Sequence, residues 1–246
     1  SSLPHPRKTN GGEDAHFVAY TGNEHSAWLG VADGVSAAND NGEYAKRLMS
    51  SARMSVASLS TDASDARALL HSCWMESQII DGRSTACLVS LSSHRMSWCN
   101  VGDGGCWVLR RRRGSSLGVA FKTPPQLWDW NCPYQLGRLD DVELNTPADA
   151  DAGEVALQAG DVVVLATDGL YDALHPLEIL ELVAHDLRAD VSAQDIATTL
   201  VQTAIAMSKD SLRMSPVALA MQREGYVARS RELQDDVTAV VAKVLQ

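Results

Sequence analysis

The stretch Ala27-Trp28-Leu29-Gly30-Val31-Ala32-Asp33-Gly34-Val35-Ser36 decides the fold. An apolar run ends abruptly in an acid and a glycine. Such a run reads as a buried strand that carries one carboxylate to the edge of a core. The glycine lets the backbone turn sharply and lets another group approach closely. The same device recurs in Val162-Val163-Val164-Leu165-Ala166-Thr167-Asp168-Gly169. Packing alone does not ask for two strands that each end in Asp-Gly.

Upstream, Glu13-Asp14 leads into the β-favouring run Ala15–Tyr20, and Asn23-Glu24-His25 makes a turn before Ala27. This is a hairpin signature, and it brings Glu13 and Asp14 near Asp33. Downstream, Asn39-Asp40-Asn41-Gly42 predicts a turn and a helix cap. Tyr44, Ala45, Leu48, Met49, Ala52 and Val56 then recur at helical spacing. A second helix is expected from about Asp65 to Gln78, with Ala68, Leu69, Cys73 and Trp74 on one face. The period then changes to two. Ser84–Leu91, Arg95–Val101 and Cys106–Arg110 read as an antiparallel meander, broken at Gly102-Asp103-Gly104-Gly105. Residues 123–153 are irregular and hold Trp128, Trp130 and Tyr134, as a flap or partner-facing lobe would, or as rings plugging the core edge. Glu154–Gln158 and Asp161–Ala166 predict another hairpin, turned at Ala159-Gly160. Helices follow at Pro176–Leu187, Ser192–Met207 and Pro216–Arg223. A β-branched strand, led by Asp235-Asp236, closes the chain.

No repeat or linker divides the 246 residues, so 1–246 reads as one domain. Helices come in sequential pairs between antiparallel strands. That order predicts an α+β fold, a four-layer α-β-β-α sandwich of two antiparallel sheets flanked by helices, and disfavours a Rossmann fold. With 45% hydrophobic residues the chain buries a substantial core. A net charge of −10 argues against nucleic acid as a partner. No stretch is apolar enough to span a membrane, and the expectation is a monomer. The five cysteines form no CxxC pair, so a zinc site is not expected.

Glu13/Asp14, Asp33, Asp103, Asp168 and Asp235/Asp236 all stand at strand ends or strand breaks. One such acid is ordinarily a turn former or helix cap. A convergent set is different. Two carboxylates about 4 Å apart repel by about 4 kcal/mol at an effective dielectric of about 20. All stay ionised together only around cations. Oxygen ligands without Cys or His select hard ions, Mg²⁺ or Mn²⁺.

Six motifs then occur in order: Glu13-Asp14-Ala15, Val31-Ala32-Asp33-Gly34-Val35, Gly82-Arg83-Ser84-Thr85-Ala86, Asn100-Val101-Gly102-Asp103, Leu165-Ala166-Thr167-Asp168-Gly169-Leu170-Tyr171-Asp172 and Asp235-Asp236-Val237-Thr238. Together they resemble the type 2C, or PPM, metal-dependent protein serine/threonine phosphatases. The resemblance implies a binuclear Mg²⁺/Mn²⁺ centre between the sheets. Asp33 would bridge both ions, Glu13 and the Gly34 carbonyl would serve one, and Asp168 and Asp235 the other. Asp103 would help hold a weaker third ion, and Asp14 would orient ligands or water. A water shared by two such ions is acidified toward neutrality and suited to in-line attack on phosphorus. Partners would be phosphorylated serine/threonine proteins. The stretch Lys8-Thr9 with Gly11–Phe17 is most similar to the organellar branch and its plant plastid members. That implies the chloroplast stroma, with mitochondrion or cytosol as alternatives, and thylakoid photosystem II core phosphoproteins as the narrowest substrate reading.

The sequence also departs from the family pattern. Val35 stands where many relatives carry a His proposed as general acid, which leaves His16 as one candidate donor. Thr9 replaces a phosphate-binding Arg, which points to the adjacent Lys8. Ser36-Ala37 replaces a Gly-Gly. A catalytically weak or inactive scaffold of the same fold is therefore the alternative reading. A cysteine phosphatase is a further rival, because Cys106 and Arg112 have Cys-x5-Arg spacing, but this segment reads as a strand and not as a phosphate-cradling loop. Arg110–Arg113 reads either as a docking patch or as a solvated hairpin end.

Overall fold

The computed structural model describes residues 1–4, 12–21, 26–35, 42–59, 65–92, 94–112, 116–141, 143–210, 212–226 and 235–245. The turns expected at 23–25 and 39–41, and Lys8, Thr9, Ser36, Ala37 and Arg113, lie outside the described residues. In chain order the strands are β1 (Ser2–Leu3), β2 (Ala15–Tyr20), β3 (Ala27–Ala32), β4 (Gly34–Val35), β5 (Arg83–Ser84), β6 (Ala86–Leu91), β7 (Arg95–Val101), β8 (Gly105–Arg111), β9 (Leu117–Lys122), β10 (Leu127–Asp129), β11 (Cys132–Pro133), β12 (Asp151–Ala156), β13 (Val162–Ala166) and β14 (Val237–Lys243). The helices are α1 (Glu43–Ala57), α2 (Ala66–Glu76), α3 (Asp168–Ala173), α4 (Pro176–Arg188), α5 (Ala193–Ser208) and α6 (Pro216–Arg223).

Two five-stranded sheets form the centre, one ordered β1-β14-β13-β8-β9 and the other β12-β7-β6-β3-β2. Both are antiparallel throughout. The period of two explains the layering. Leu29 and Val31 face the other sheet, where they meet Val163, Leu165 and Val240. Trp28 and Ala32, on the opposite face of the same strand, pack under α1 and α2. Val162, Val164 and Ala166 likewise turn away from the sheet interface and pack under α3, α4 and α5. The result is the α-β-β-α sandwich expected from the sequence.

The β2–β3 hairpin forms with Ala15 opposite Ala32. The next two strand expectations need correction. The meander stops after two strands: β6 and β7 pair, but β8 joins the other sheet beside β13. The chain crosses between sheets at the Gly102–Gly104 break, where Gly102 adopts φ +102°. The supposed hairpin of residues 154–166 is also a crossing, since β12 pairs with β7 and β13 with β8 and β14. In both places a short glycine-containing connection looks local in sequence yet joins strands of different sheets. In α2 the buried face is Ala66, Leu69, Leu70, Cys73 and Trp74, and Ala68 points outward. The Asp65 carboxylate caps this helix by accepting from the Arg67 and Ala68 N–H groups.

The irregular stretch 123–153 divides into two parts. Leu136, Asn145 and Ala150 are buried. The Gly137 carbonyl accepts from Tyr44 Oη at 3.1 Å, Trp74 Nε1 at 2.7 Å and Gln78 Nε2 at 3.3 Å, which pins this part to α1 and α2. The β10–β11 hairpin stands outside it and exposes Leu127 and Trp128. Trp128 stacks on Tyr134 with centroids 4.4 Å apart.

Leu165 is fully buried between the sheets. Leu165→Ala should therefore lower the unfolding free energy by about 2–5 kcal/mol, seen as a shifted urea midpoint at unchanged slope. A loss below about 1 kcal/mol would mean that the two sheets close over the gap.

Candidate metal centre

Antiparallel pairing brings the acids together. Acids precede β2 and β14, and acids follow β3 and β13. Since β2 pairs with β3, and β14 with β13, leading and trailing acids arrive at the same end of the sandwich. Asp103, just after β7, joins them where the chain crosses sheets.

The Asp-Gly pairs at Asp33, Asp103 and Asp168 show how tightly the segments meet. A Cβ on Gly34 would lie 2.6 Å from the Glu13 carbonyl oxygen. One on Gly104 would lie 3.0 Å from the Ala166 carbonyl oxygen, and one on Gly169 would lie 2.1 Å from that of Asp236. In each pair the acid faces the cluster while the glycine admits the backbone of another acid-bearing segment. The Glu13 N–H donates to Asp236 Oδ2 at 2.6 Å, so Asp236 fixes the backbone that carries Glu13. Lys46 Nζ, on α1, donates to the Gly12 carbonyl at 2.9 Å.

Asp14 joins the two sheets. Its Oδ2 accepts from Thr167 Oγ1 at 2.8 Å, and Thr167 Oγ1 accepts from the Thr238 N–H at 3.1 Å. Asp14 also stands close enough to Asp33 for its charge to raise the Asp33 carboxyl.

The electrostatics follow from burial and crowding. Burial, then repulsion from Asp14, Asp235 and Asp103, raises Asp33 well above the ordinary carboxylate range. Asp168 is raised in the same way, by burial and then by Asp33, Asp103, Asp172 and Asp235. Asp14 is pushed up to about 7, burial outweighing the hydrogen bonds from Thr238 and Thr167. Asp103 is pushed to about 6, burial outweighing the N–H groups of its own turn. Asp172 rises to about 7, by burial and then by Asp103 and Asp235.

The expected residues Asp14, Asp33, Asp103, Asp168 and Asp235 are thus within electrostatic reach of one another, with Asp235 at the exposed rim. Glu13 and Gly34 meet through their backbones. Lys8 lies outside the described residues. His16 sits on β2 opposite Val31 and is exposed. The sequence alone assigns no role to Asp172 or Thr167 and places Asp236 only among the strand-end acids. Asp172 could have been found, because it lies one helical turn beyond Asp168 in α3, but Asp168 reads as a strand end and not as the start of a helix.

One rival reading loses its ground. Cys106 lies inside β8, paired opposite Leu165 and buried between the sheets, so it forms no phosphate loop. Within the Arg110–Arg113 run, Arg110 is engaged by Asp161, with Nε and Nη2 donating at 2.8 and 2.7 Å, while Arg111 and Arg112 are exposed.

Among the described residues no three His, Cys, Asp or Glu side chains already form a cage around one point. The donor set nevertheless fits a hard cation. Asp14 Oδ1, Asp103 Oδ1 and Asp168 Oδ1 are buried with no hydrogen-bond partner. A buried carboxylate oxygen without a donor is costly, and a cation removes that cost.

A family model described as Stage II sporulation protein E (SpoIIE) matches residues 28–245. The chain belongs to the SpoIIE/type 2C phosphatase family. It is 36% identical over 252 residues to "Probable protein phosphatase 2C 55" of Arabidopsis thaliana, covering 98% of this chain and 50% of that relative. It is 33% identical over 250 residues to "Protein phosphatase PTC7 homolog fig" of Drosophila ananassae, covering 95% of this chain and 73% of the relative. The chain therefore spans about half the length of its Arabidopsis relative. The X-ray structure of the photosystem II phosphatase PBCP superposes with a TM-score of 0.84 at 27% identity, covering 99% of this chain and 96% of that one. This likeness agrees with the organellar branch of the type 2C family suggested by the Gly11–Phe17 stretch.

In this chain, stripped of metal, the raised carboxyls hold protons that the unfolded chain releases near pH 4. Their contribution is complete below that pH and is lost as pH rises through about 6 to 7. In chelator, the melting temperature should fall between pH 5 and pH 8. Added Mn²⁺ should raise it more at pH 8, where the ligands are ionised. A melting temperature in chelator that does not change with pH would count against a crowded carboxylate cluster.

Proposed function

We propose that this chain is a protein serine/threonine phosphatase that hydrolyses phosphomonoesters at a Mg²⁺ or Mn²⁺ centre of two ions with a weaker third. One observation carries the reading: acids from five separate segments converge, and three of their buried oxygens have no donor. In this reading Glu13 and the Gly34 carbonyl would hold one ion, Asp168 and Asp235 would hold the other, Asp33 would serve both, and Asp103 would serve the third. When bound, the ions acidify water and neutralise phosphoryl oxygens.

The chain's own groups do the positioning. Thr167 holds Asp14 in place beside Asp33. Asp236 fixes the Glu13 backbone. Asp172, near neutrality in its pKa, can hold or release a proton at its carboxyl beside Asp103. The buried thiol of Cys106 takes no part.

The scaffold alternative is disfavoured by the same cluster, because a binding module has no use for buried, mutually repelling acids. The similarity to a photosystem II phosphatase supports photosystem II phosphoproteins as substrates, here the core proteins, and a chloroplast location, here the stroma.

Asp33→Asn and Asp168→Asn should each lower turnover of p-nitrophenyl phosphate with Mn²⁺ by at least about a hundredfold, through the loss of several kcal/mol of charge stabilisation. The same variants should melt at a higher temperature than wild type in chelator at pH 8, because one repelling charge is gone. Wild-type rates in either variant would refute the assignment. On phosphorylated thylakoid membranes, photosystem II core proteins should lose phosphate faster than other phosphoproteins. Equal rates on all of them would remove the substrate assignment and leave the phosphatase reading intact.

A further inference from the structure

Between the Asp33 strand end and the Asp103 turn lies Thr85, a residue that carries no charge and contacts both. Its Oγ1 accepts from the Asp33 N–H at 3.2 Å, and its own N–H donates to the Asp33 carbonyl at 2.9 Å. Ser84 Oγ donates to the same carbonyl at 2.8 Å. The Asp33 peptide is therefore held at both its donor and its acceptor. The methyl group of Thr85 points the other way. A Cβ on Gly102 would lie 2.6 Å from Thr85 Cγ2 and 2.8 Å from Thr85 Cβ, so the Gly102-Asp103 turn lies directly against that methyl. Asn100 Nδ2 donates to the Gly102 carbonyl at 3.0 Å and steadies the turn from its other side. Thr85 is 3% exposed.

We propose that Thr85 is a positioning residue that fixes the spacing between Asp33 and Asp103, with its hydroxyl setting one carboxylate and its methyl the other. This rests on the metal-centre reading above. Neither half of the side chain is dispensable: valine keeps the wedge and loses the acceptor, and serine keeps the acceptor and loses the wedge. The Gly102 carbonyl also accepts from the Gln126 N–H at 2.8 Å, at the root of the β10–β11 hairpin, so the same joint connects the acids to that exposed hairpin.

The test is Mn²⁺ binding by calorimetry to wild type, Thr85→Val, Thr85→Ser and Asp33→Asn, each checked for folding by circular dichroism. Turnover of p-nitrophenyl phosphate is measured across a Mn²⁺ titration. Thr85→Val should bind Mn²⁺ about tenfold more weakly, the scale of one lost buried hydrogen bond. Its activation curve should move to higher Mn²⁺ while kcat at saturating metal returns to within about twofold of wild type. Thr85→Ser should show a smaller shift in the same direction, and it carries the test alone should Thr85→Val fail to fold. Folded variants with wild-type Mn²⁺ affinity overturn the inference, as does a kcat loss that excess Mn²⁺ does not repair. Wild type and Asp33→Asn binding Mn²⁺ equally would instead overturn the metal-centre reading itself.

Discussion

Like charges held together where water is scarce repel one another, and everything at one end of this sandwich is arranged around that fact. Burial raises the Asp14, Asp33, Asp103, Asp168 and Asp172 carboxyls, and neighbouring acids raise them further. A fold has no reason to pay this penalty five times over for packing. Other segments of the fold fix these acids: Asp236 holds the Glu13 backbone, Thr85 holds the Asp33 backbone, and Thr167 holds the Asp14 carboxylate. The side chains repel while the main chain holds them in place. A cation turns that repulsion into attraction, which is why a metal-dependent activity is the natural reading.

The two sheets divide the work. The sheet containing β2, β3, β6 and β7 supplies Glu13, Asp14, Asp33 and Asp103, and the sheet containing β13 and β14 supplies Asp168, Asp235 and Asp236. Thr167 and Thr238 tie the second group together across the β13–β14 edge, and Thr167 reaches over to Asp14. The apolar layer of Leu29, Val31, Val163, Leu165 and Val240 keeps the sheets in register behind the acids. The distance between the two carboxylate groups is thus set by hydrocarbon packing as much as by hydrogen bonds.

How much of this was legible in the sequence depends on how local the signal is. The Asp-Gly strand ends and the β2–β3 hairpin could be read directly, because an apolar run and its terminating acid are adjacent. Which sheet a strand joins could not. Strands β6, β7, β8 and β13 are buried on both faces or nearly so, and a continuous apolar run carries no alternation to say which way it faces. The short connections at Gly102 and Gly160 then look like hairpin turns although both cross between sheets. Thr85 and Thr167 were invisible for another reason: a threonine in a β-rich stretch is ordinary, and only its partners, distant in sequence, give it a role. Asp172 was hidden by a misread boundary, since α3 starts where the strand pattern suggested only an end.

The order of the strands also bears on how the molecule comes into being. Strand β14, the last in the chain, is not at a margin: it lies between β1 and β13 and brings Asp235 and Asp236 with it. Until β14 has slotted between its two neighbours, Asp235 and Asp236 are away from the other acids, so the acid cluster assembles only together with the completed sheet.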